Sequence, residues 1–129
     1  MSITNDDQPA RNINSLPEFG PAEARAFIQG AVYCWCKNKP GEVFAVRDLF
    51  GRENTDWGGT PLQEIYGHWS SLYRGQHPEL SDDELHEKAA DQAAIDVGWL
   101  MKSVLQNDRR EFESSDVGKA KGYKWVGGD

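Results

Sequence analysis

The sequence lacks the features that mark several large classes of protein. It has only two cysteines, Cys34 and Cys36, which are too few for a disulfide framework. It contains no run of about 18 apolar residues, so we expect no membrane-spanning helix. Its first residues carry neither a basic start nor an apolar run, so we expect no secretory signal. Together these absences favour a cytoplasmic protein with reduced thiols and no membrane partner.

Positive charge is also scarce, with 14 Lys and Arg residues against 21 Asp and Glu residues and a formal net charge of −7. Much of the acidic excess falls between residues 79 and 96, where carboxylates would stabilise the positive end of a long helix. An acidic protein is repelled by a phosphate backbone unless it gathers its cations on one face. The candidates for such a face lie near the C-terminus, at Arg109, Arg110, Lys119, Lys121 and Lys124.

Length and composition indicate one folded domain. A chain of 129 residues with 38% hydrophobic and 11% aromatic residues can bury one core but not two. Residues 1–20 are polar, contain two prolines and show little periodicity, so we expect them to form a flexible N-terminal arm. Residues 21–129 are expected to form a single helical domain with a C-terminal hairpin at about 108–127.

Apolar periodicity predicts four helices, at about residues 22–37, 44–50, 60–74 and 82–106. Thr60 is the expected N-cap of the third helix, with Pro61 as its first helical residue. Ser81 and Glu84 have the spacing of a capping box at the start of the fourth helix. The predicted fold class is mainly α: a compact bundle of about four helices with a C-terminal β-hairpin, and a winged-helix-like arrangement as the more specific alternative.

The fourth predicted helix carries two apolar residues away from its main apolar stripe. Ile95 and Trp99 are four residues apart, so they share one side of the helix with Lys88 and Lys102. This pair predicts either a second contact with the core or a surface for self-association or a protein partner.

The loop from residue 47 to residue 60 has the densest set of functional groups, including Arg47, Arg52, Asp56 and Trp57. Free backbone N–H groups at the following helix could bind an anion with help from an arginine. The alternative is a structural turn in which Trp57 plugs the core. The glycine and lysine spacing of a phosphate loop is absent.

Catalytic motifs are missing from the sequence. Cys34 and Cys36 point to opposite sides of their helix, so they cannot share one metal ion. Glu64 and His68 are four residues apart on the third helix, and with Asp56 they form the best candidate centre for a small metal-dependent enzyme. No cofactor is predicted, and the balance of motifs is against an enzyme.

Nucleic-acid binding is an alternative, because a short helix, a loop, the helix 60–74 and a hairpin are the parts of a helix-turn-helix with a wing. In that arrangement Lys119, Lys121 and Lys124 would contact phosphates, and Tyr123 would stack on bases. The leading hypothesis is nevertheless a small, non-catalytic, protein-binding or regulatory protein, with another protein or a second copy of the chain as its partner.

Overall fold

The computed structural model describes residues 2–16, 20–51 and 56–128. Their helices and strands follow in the order α1 (Gly20–Asn38), α2 (Val46–Phe50), α3 (Gln63–Gln76), α4 (Asp82–Gln106), β1 (Arg110–Val117) and β2 (Ala120–Gly128). The two strands pair as an antiparallel hairpin. This arrangement confirms the predicted fold class of a mainly α protein with four helices and a C-terminal hairpin. Within the described residues, no helix is both long enough and apolar enough to cross a membrane.

Helix α4 is the element on which the other three helices pack. It begins where the sequence predicts, because Ser81 Oγ accepts a hydrogen bond from the Glu84 amide at 3.1 Å. The Ser81 amide in turn donates to Glu84 Oε1 at 3.1 Å, which completes the capping box. These hydrogen bonds lower the pKa of Glu84. The predicted apolar stripe of α4 is buried, at Leu85, Ala89, Ala93, Val97, Leu100 and Val104.

Helix α3 begins later than predicted, at Gln63 instead of Pro61. Thr60 was expected to cap the helix, but its side chain stabilises a turn before it. Thr60 Oγ1 donates to the Trp57 carbonyl at 2.7 Å and accepts from the Leu62 amide at 3.2 Å. The prediction was wrong because the same hydroxyl chemistry serves both a helix cap and a turn.

Helix α2 is shorter than the predicted helix at 44–50, because Phe44 belongs to the hairpin. Its amide and carbonyl both pair with Tyr123, with N···O distances of 2.8 Å. The fully buried Phe44 ring also contacts the rings of Tyr123 and Phe112. Phe44 therefore joins the hairpin to the helical core, and α2 begins only at Val46.

Several residues of the predicted N-terminal arm make specific contacts with the domain. Ile3 is fully buried and forms a parallel β-bridge with Phe112, and the Thr4 amide donates to the Phe112 carbonyl at 2.8 Å. Further along, Ser15 is buried and hydrogen bonded to Asp96. Residues 2–5 occupy the free edge of β1, where the strand's backbone groups need partners. Gln8 and Ala10 instead form hydrogen bonds with Gln106 at the end of α4.

Candidate binding groove

A groove of about 700 Å³ lies where α2, α4 and the turn of the hairpin meet. Its apolar wall and floor are formed by Val46, Phe50, Trp57, Ile95, Trp99 and Met101. Ile95 is 53% exposed, although isoleucine is one of the most apolar residue types. The groove is therefore an accessible apolar concavity and not a closed part of the core.

The position of each wall follows from local structure. Ile95 and Trp99 lie one turn apart on α4 and face away from its buried stripe. Helix α2 is ended by Gly51, whose φ of 106° suits glycine, and this leaves Phe50 at the opposite side of the groove. Trp57 also lines the groove and is only 5% exposed, and the buried part of the lining, with Trp57, Met101 and Tyr123, is called the floor below.

Two cations lie close to the ring of Trp99. The Arg11 guanidinium lies 5.2 Å from the Trp99 ring centroid, and Lys102 Nζ lies 5.8 Å from it. Both distances are within the range of cation–π attraction. Lys102 also forms an ion pair with Asp6 at 3.0 Å, and the pKa of Asp6 is lowered chiefly by its hydrogen bond with Lys102.

Three exposed cations also line the groove, and the solvent-facing part that they line is called its opening below. Arg47 comes from α2, Lys119 from the hairpin turn and Lys121 from β2. Lys121 Nζ lies 3.0 Å from Asp116 in a largely exposed ion pair, and such pairs contribute little to stability. Among the described residues, four cationic and two acidic side chains line the groove, although the whole chain has a net charge of −7. The groove is therefore a locally positive region of an acidic protein.

Two buried residues that line the groove, Trp57 and Tyr123, carry polar groups. The buried indole Nε1 of Trp57 has no hydrogen-bond acceptor among the described residues. An unpaired buried donor costs about 1–3 kcal/mol, so a ligand oxygen that reached this atom would gain affinity. Tyr123 is 3% exposed, and desolvation, together with the negative charge of Asp6, raises its pKa to about 12. Its hydroxyl is therefore a neutral group at ordinary pH.

Seven of the ten predicted binding residues come together in this groove: Arg47, Trp57, Ile95, Trp99, Lys119, Lys121 and Tyr123. Sequence reasoning assigned them to three separate candidate surfaces. Lys124 lies on β2 but is not part of the groove lining, and His68 lines a different pocket. Arg52 lies outside the described residues.

The residues of the predicted metal centre do not converge. Glu64 and His68 line an open pocket of about 470 Å³ together with Ser15, but Asp56 is not among its lining residues. Instead, Asp56 Oδ1 accepts a hydrogen bond from the Gly58 amide at 3.1 Å. Over residues 2–16, 20–51 and 56–128, no group of three or more His, Cys, Asp or Glu side chains is placed to hold a metal ion.

The two cysteines lie on opposite sides of α1, as their spacing predicts. Cys34 is exposed, whereas Cys36 is buried. Burial raises the pKa of the Cys36 thiol, which disfavours the reactive thiolate.

The predicted nucleic-acid surface is divided in the structure. Tyr123 was expected to stack on bases, but its ring is buried against Phe44. Helix α2 packs mainly on α4 and α1, and α3 packs mainly on α4, so the two helices of the expected helix-turn-helix pack on α4 more than on each other. Lys119 and Lys121 lie at the groove, away from the main packing of α3.

Sequence reasoning missed a buried polar cluster. Asp96 is 6% exposed, and its Oδ2 accepts hydrogen bonds from Ser15 Oγ at 2.6 Å and from Trp69 Nε1 at 2.8 Å. Nothing in the acidic run of α4 distinguishes Asp96 from its exposed neighbours. The one sequence feature that could have indicated its burial is its position beside Val97, at the border of the buried stripe.

Comparison with protein-family models, curated proteins and solved structures found no match to this chain. The fold class and the groove are therefore described from this chain alone.

Proposed function

We propose that this chain is a non-catalytic binding protein whose groove receives a segment of a protein partner. The observation that carries this proposal is the exposed Ile95 beside the half-buried Trp99 in a concave apolar surface. Complete burial of the exposed part of Ile95 would contribute about 1 kcal/mol. Aromatic residues at the centre of a concave surface supply much of the affinity in protein interfaces.

The size and shape of the groove fit a peptide segment. A volume of about 700 Å³ accommodates several side chains, and the walls come from helices and from a hairpin. Pockets that recognise peptides commonly combine such apolar walls with a few polar groups that fix orientation. Here Trp57 and the cations at the opening supply the polar groups.

The charge of the groove favours a different protein over a second copy of this chain. In a symmetric dimer the same patch meets itself, so the cations of one groove would face those of the other. Like charges across an interface are destabilising. The free thiols of Cys34 and Cys36 agree with the cytoplasmic setting that we propose for this binding.

Selection from a phage-displayed library of random peptides tests the proposal. The full chain is immobilised, and the Ile95→Asp and Leu72→Asp variants are used in parallel. Leu72 is 39% exposed on α3 and is not part of the groove lining, so it provides a matched control. Both substitutions replace an exposed apolar residue, and thermal melting verifies that each variant folds.

We expect wild type and Leu72→Asp to enrich the same peptides, and Ile95→Asp to lose them. Failure to enrich any sequence, or equal retention by Ile95→Asp, would overturn the proposal. Light scattering on the same samples measures whether the protein self-associates. A wild-type dimer that Ile95→Asp dissociates, with no peptide enriched, would assign the groove to a second copy and contradict a separate partner.

A further inference from the structure

We infer that the groove selects an acidic apolar segment, in which carboxylate side chains flank the apolar side chains that enter it. This inference rests on the proposed function and adds the chemical class of the partner segment. It comes from a difference in exposure within the groove: Trp57, Met101 and Tyr123 are buried, whereas the cations Arg47, Lys119 and Lys121 are exposed.

The cations at the opening are held on three different elements. Arg47 belongs to α2, Lys119 to the turn between the strands, and Lys121 to β2. The side chains of Arg47 and Lys119 form no ion pair or hydrogen bond with another residue that the structure describes. Within the described part of the chain, they are therefore available to carboxylates of a bound segment.

Lys121 already forms an exposed ion pair with Asp116, and the fourth cation of the groove, Lys102, is neutralised in a mostly buried one. Lys102 has a side chain only 10% exposed, and its Nζ lies 3.0 Å from Asp6. Lys102 therefore contributes to recognition only through the wall, where its ammonium group lies 5.8 Å from the centroid of the Trp99 ring. Acidic selectivity is assigned to the opening, and apolar affinity to the floor.

A peptide explains the groove better than a nucleic acid does. Double-stranded DNA carries one negative charge per about 1.7 Å of its axis, and its binding surfaces usually present many cations. Here Asp91 also lines the groove, and the chain as a whole is acidic. A polyanion would meet repulsion beyond the opening, whereas a segment with a few carboxylates would contact only the cations.

Four defined probes test the inference by fluorescence anisotropy. Three are fluorescein-labelled synthetic peptides with the same pattern of Leu and Phe, whose intervening positions are Asp and Glu, Ser and Gln, or Lys. The fourth is a labelled DNA duplex. Each is titrated with wild type, with Ile95→Asp, with the triple variant Arg47→Gln/Lys119→Gln/Lys121→Gln, and with Lys124→Gln. Lys124 is a hairpin lysine outside the groove lining, so it controls for the general loss of positive charge.

We expect the acidic peptide to bind about 5- to 30-fold more tightly than the neutral peptide at low salt, because two or three exposed ion pairs contribute this much. The advantage should shrink at physiological salt. The triple variant should bind the acidic and neutral peptides equally, while Lys124→Gln should resemble wild type.

Equal binding of the acidic and neutral peptides by wild type, or tighter binding of the basic peptide or the DNA, would overturn the inference. If a neutral or basic peptide binds and Ile95→Asp abolishes that binding, the proposed function stands and only the acidic selectivity fails. If none of the three peptides binds, both proposals fail.

Discussion

Lys102 Nζ lies 3.0 Å from Asp6 Oδ2, and this ion pair attaches the N-terminal segment to the wall of the groove. The two residues are far apart in sequence, yet both side chains are mostly buried. The pair therefore has a structural role that the composition of the N-terminal segment does not suggest. Its consequences for stability can be measured.

Asp6→Asn is expected to destabilise the protein by about 1–3 kcal/mol at neutral pH, because it leaves Lys102 buried without its anion. The pKa of Asp6 is lowered by Lys102, so the stabilisation is fully present above the ordinary pKa of 3.8. It is lost as the pH falls through the lowered pKa, where folded Asp6 becomes protonated. Denaturant melts of wild type and Asp6→Asn should therefore converge in acid. A difference in the free energy of unfolding that stays constant down to strongly acidic pH would contradict this prediction. Asp7→Asn, which changes an exposed neighbouring residue, is the control.

Asp96→Ala is expected to lower the free energy of unfolding by about 2–4 kcal/mol, because Ser15 Oγ and Trp69 Nε1 both lose their hydrogen-bond acceptor in a buried site. Asp91→Ala removes an exposed carboxylate from the same helix and should change the free energy of unfolding by no more than about 0.5 kcal/mol. Chemical denaturation measures both values. Equal effects of the two substitutions would show that the buried cluster does not stabilise the fold.

Ser81→Ala is expected to destabilise the protein by about 1 kcal/mol, since it removes the side-chain acceptor for the Glu84 amide. Glu84→Gln keeps an oxygen that can accept a hydrogen bond from the Ser81 amide, so it should lower the free energy of unfolding less than Ser81→Ala does. Thermal unfolding followed by circular dichroism compares the two. If Ser81→Ala melts like wild type, the capping box does not contribute to the stability of α4.

Tyr123 provides a prediction at alkaline pH. Its pKa in the folded protein is raised to about 12, chiefly by desolvation, whereas an unfolded tyrosine ionises near 10. The stabilisation is present below pH 10 and is lost as the pH rises through the folded value, because the unfolded state releases its proton first. Between pH 10 and pH 12, the free energy of unfolding of wild type should fall by about 3 kcal/mol relative to that of Tyr123→Phe. Denaturant melts across this range make the comparison, and parallel curves for the two proteins would refute the raised pKa.

The sequence predicted the elements whose signals are local. The capping box at Ser81, the apolar stripe of α4 and the C-terminal hairpin all depend on residues that are close to one another in sequence. Gly118 adopts a φ of 63°, which suits glycine in the tight turn between β1 and β2. The turn before α3 was misassigned because Thr60 can form the same hydrogen bonds in a cap and in a turn.

The groove could be predicted only in parts. The off-stripe position of Ile95 and Trp99 was visible in the helical periodicity, and so was the basic character of the hairpin. Their meeting with α2 depends on Phe44, which pairs with Tyr123 and so brings the turn of the hairpin beside the helix. This pairing joins residues that are distant in sequence, so no local pattern reports it. The burial of Ile3 on β1 was missed for the same reason.

Chemical-shift mapping tests the central claim most directly. Isotope-labelled full-length protein is titrated with the acidic apolar peptide, and the backbone amide and indole N–H resonances are followed. The account predicts that the largest changes fall on Arg47, Ile95, Trp99, Lys121 and the indole N–H of Trp57, and that Ile95→Asp removes them. Changes centred on Glu64 and His68, or no changes at peptide concentrations that saturate binding, would contradict the claim that this groove is the binding site.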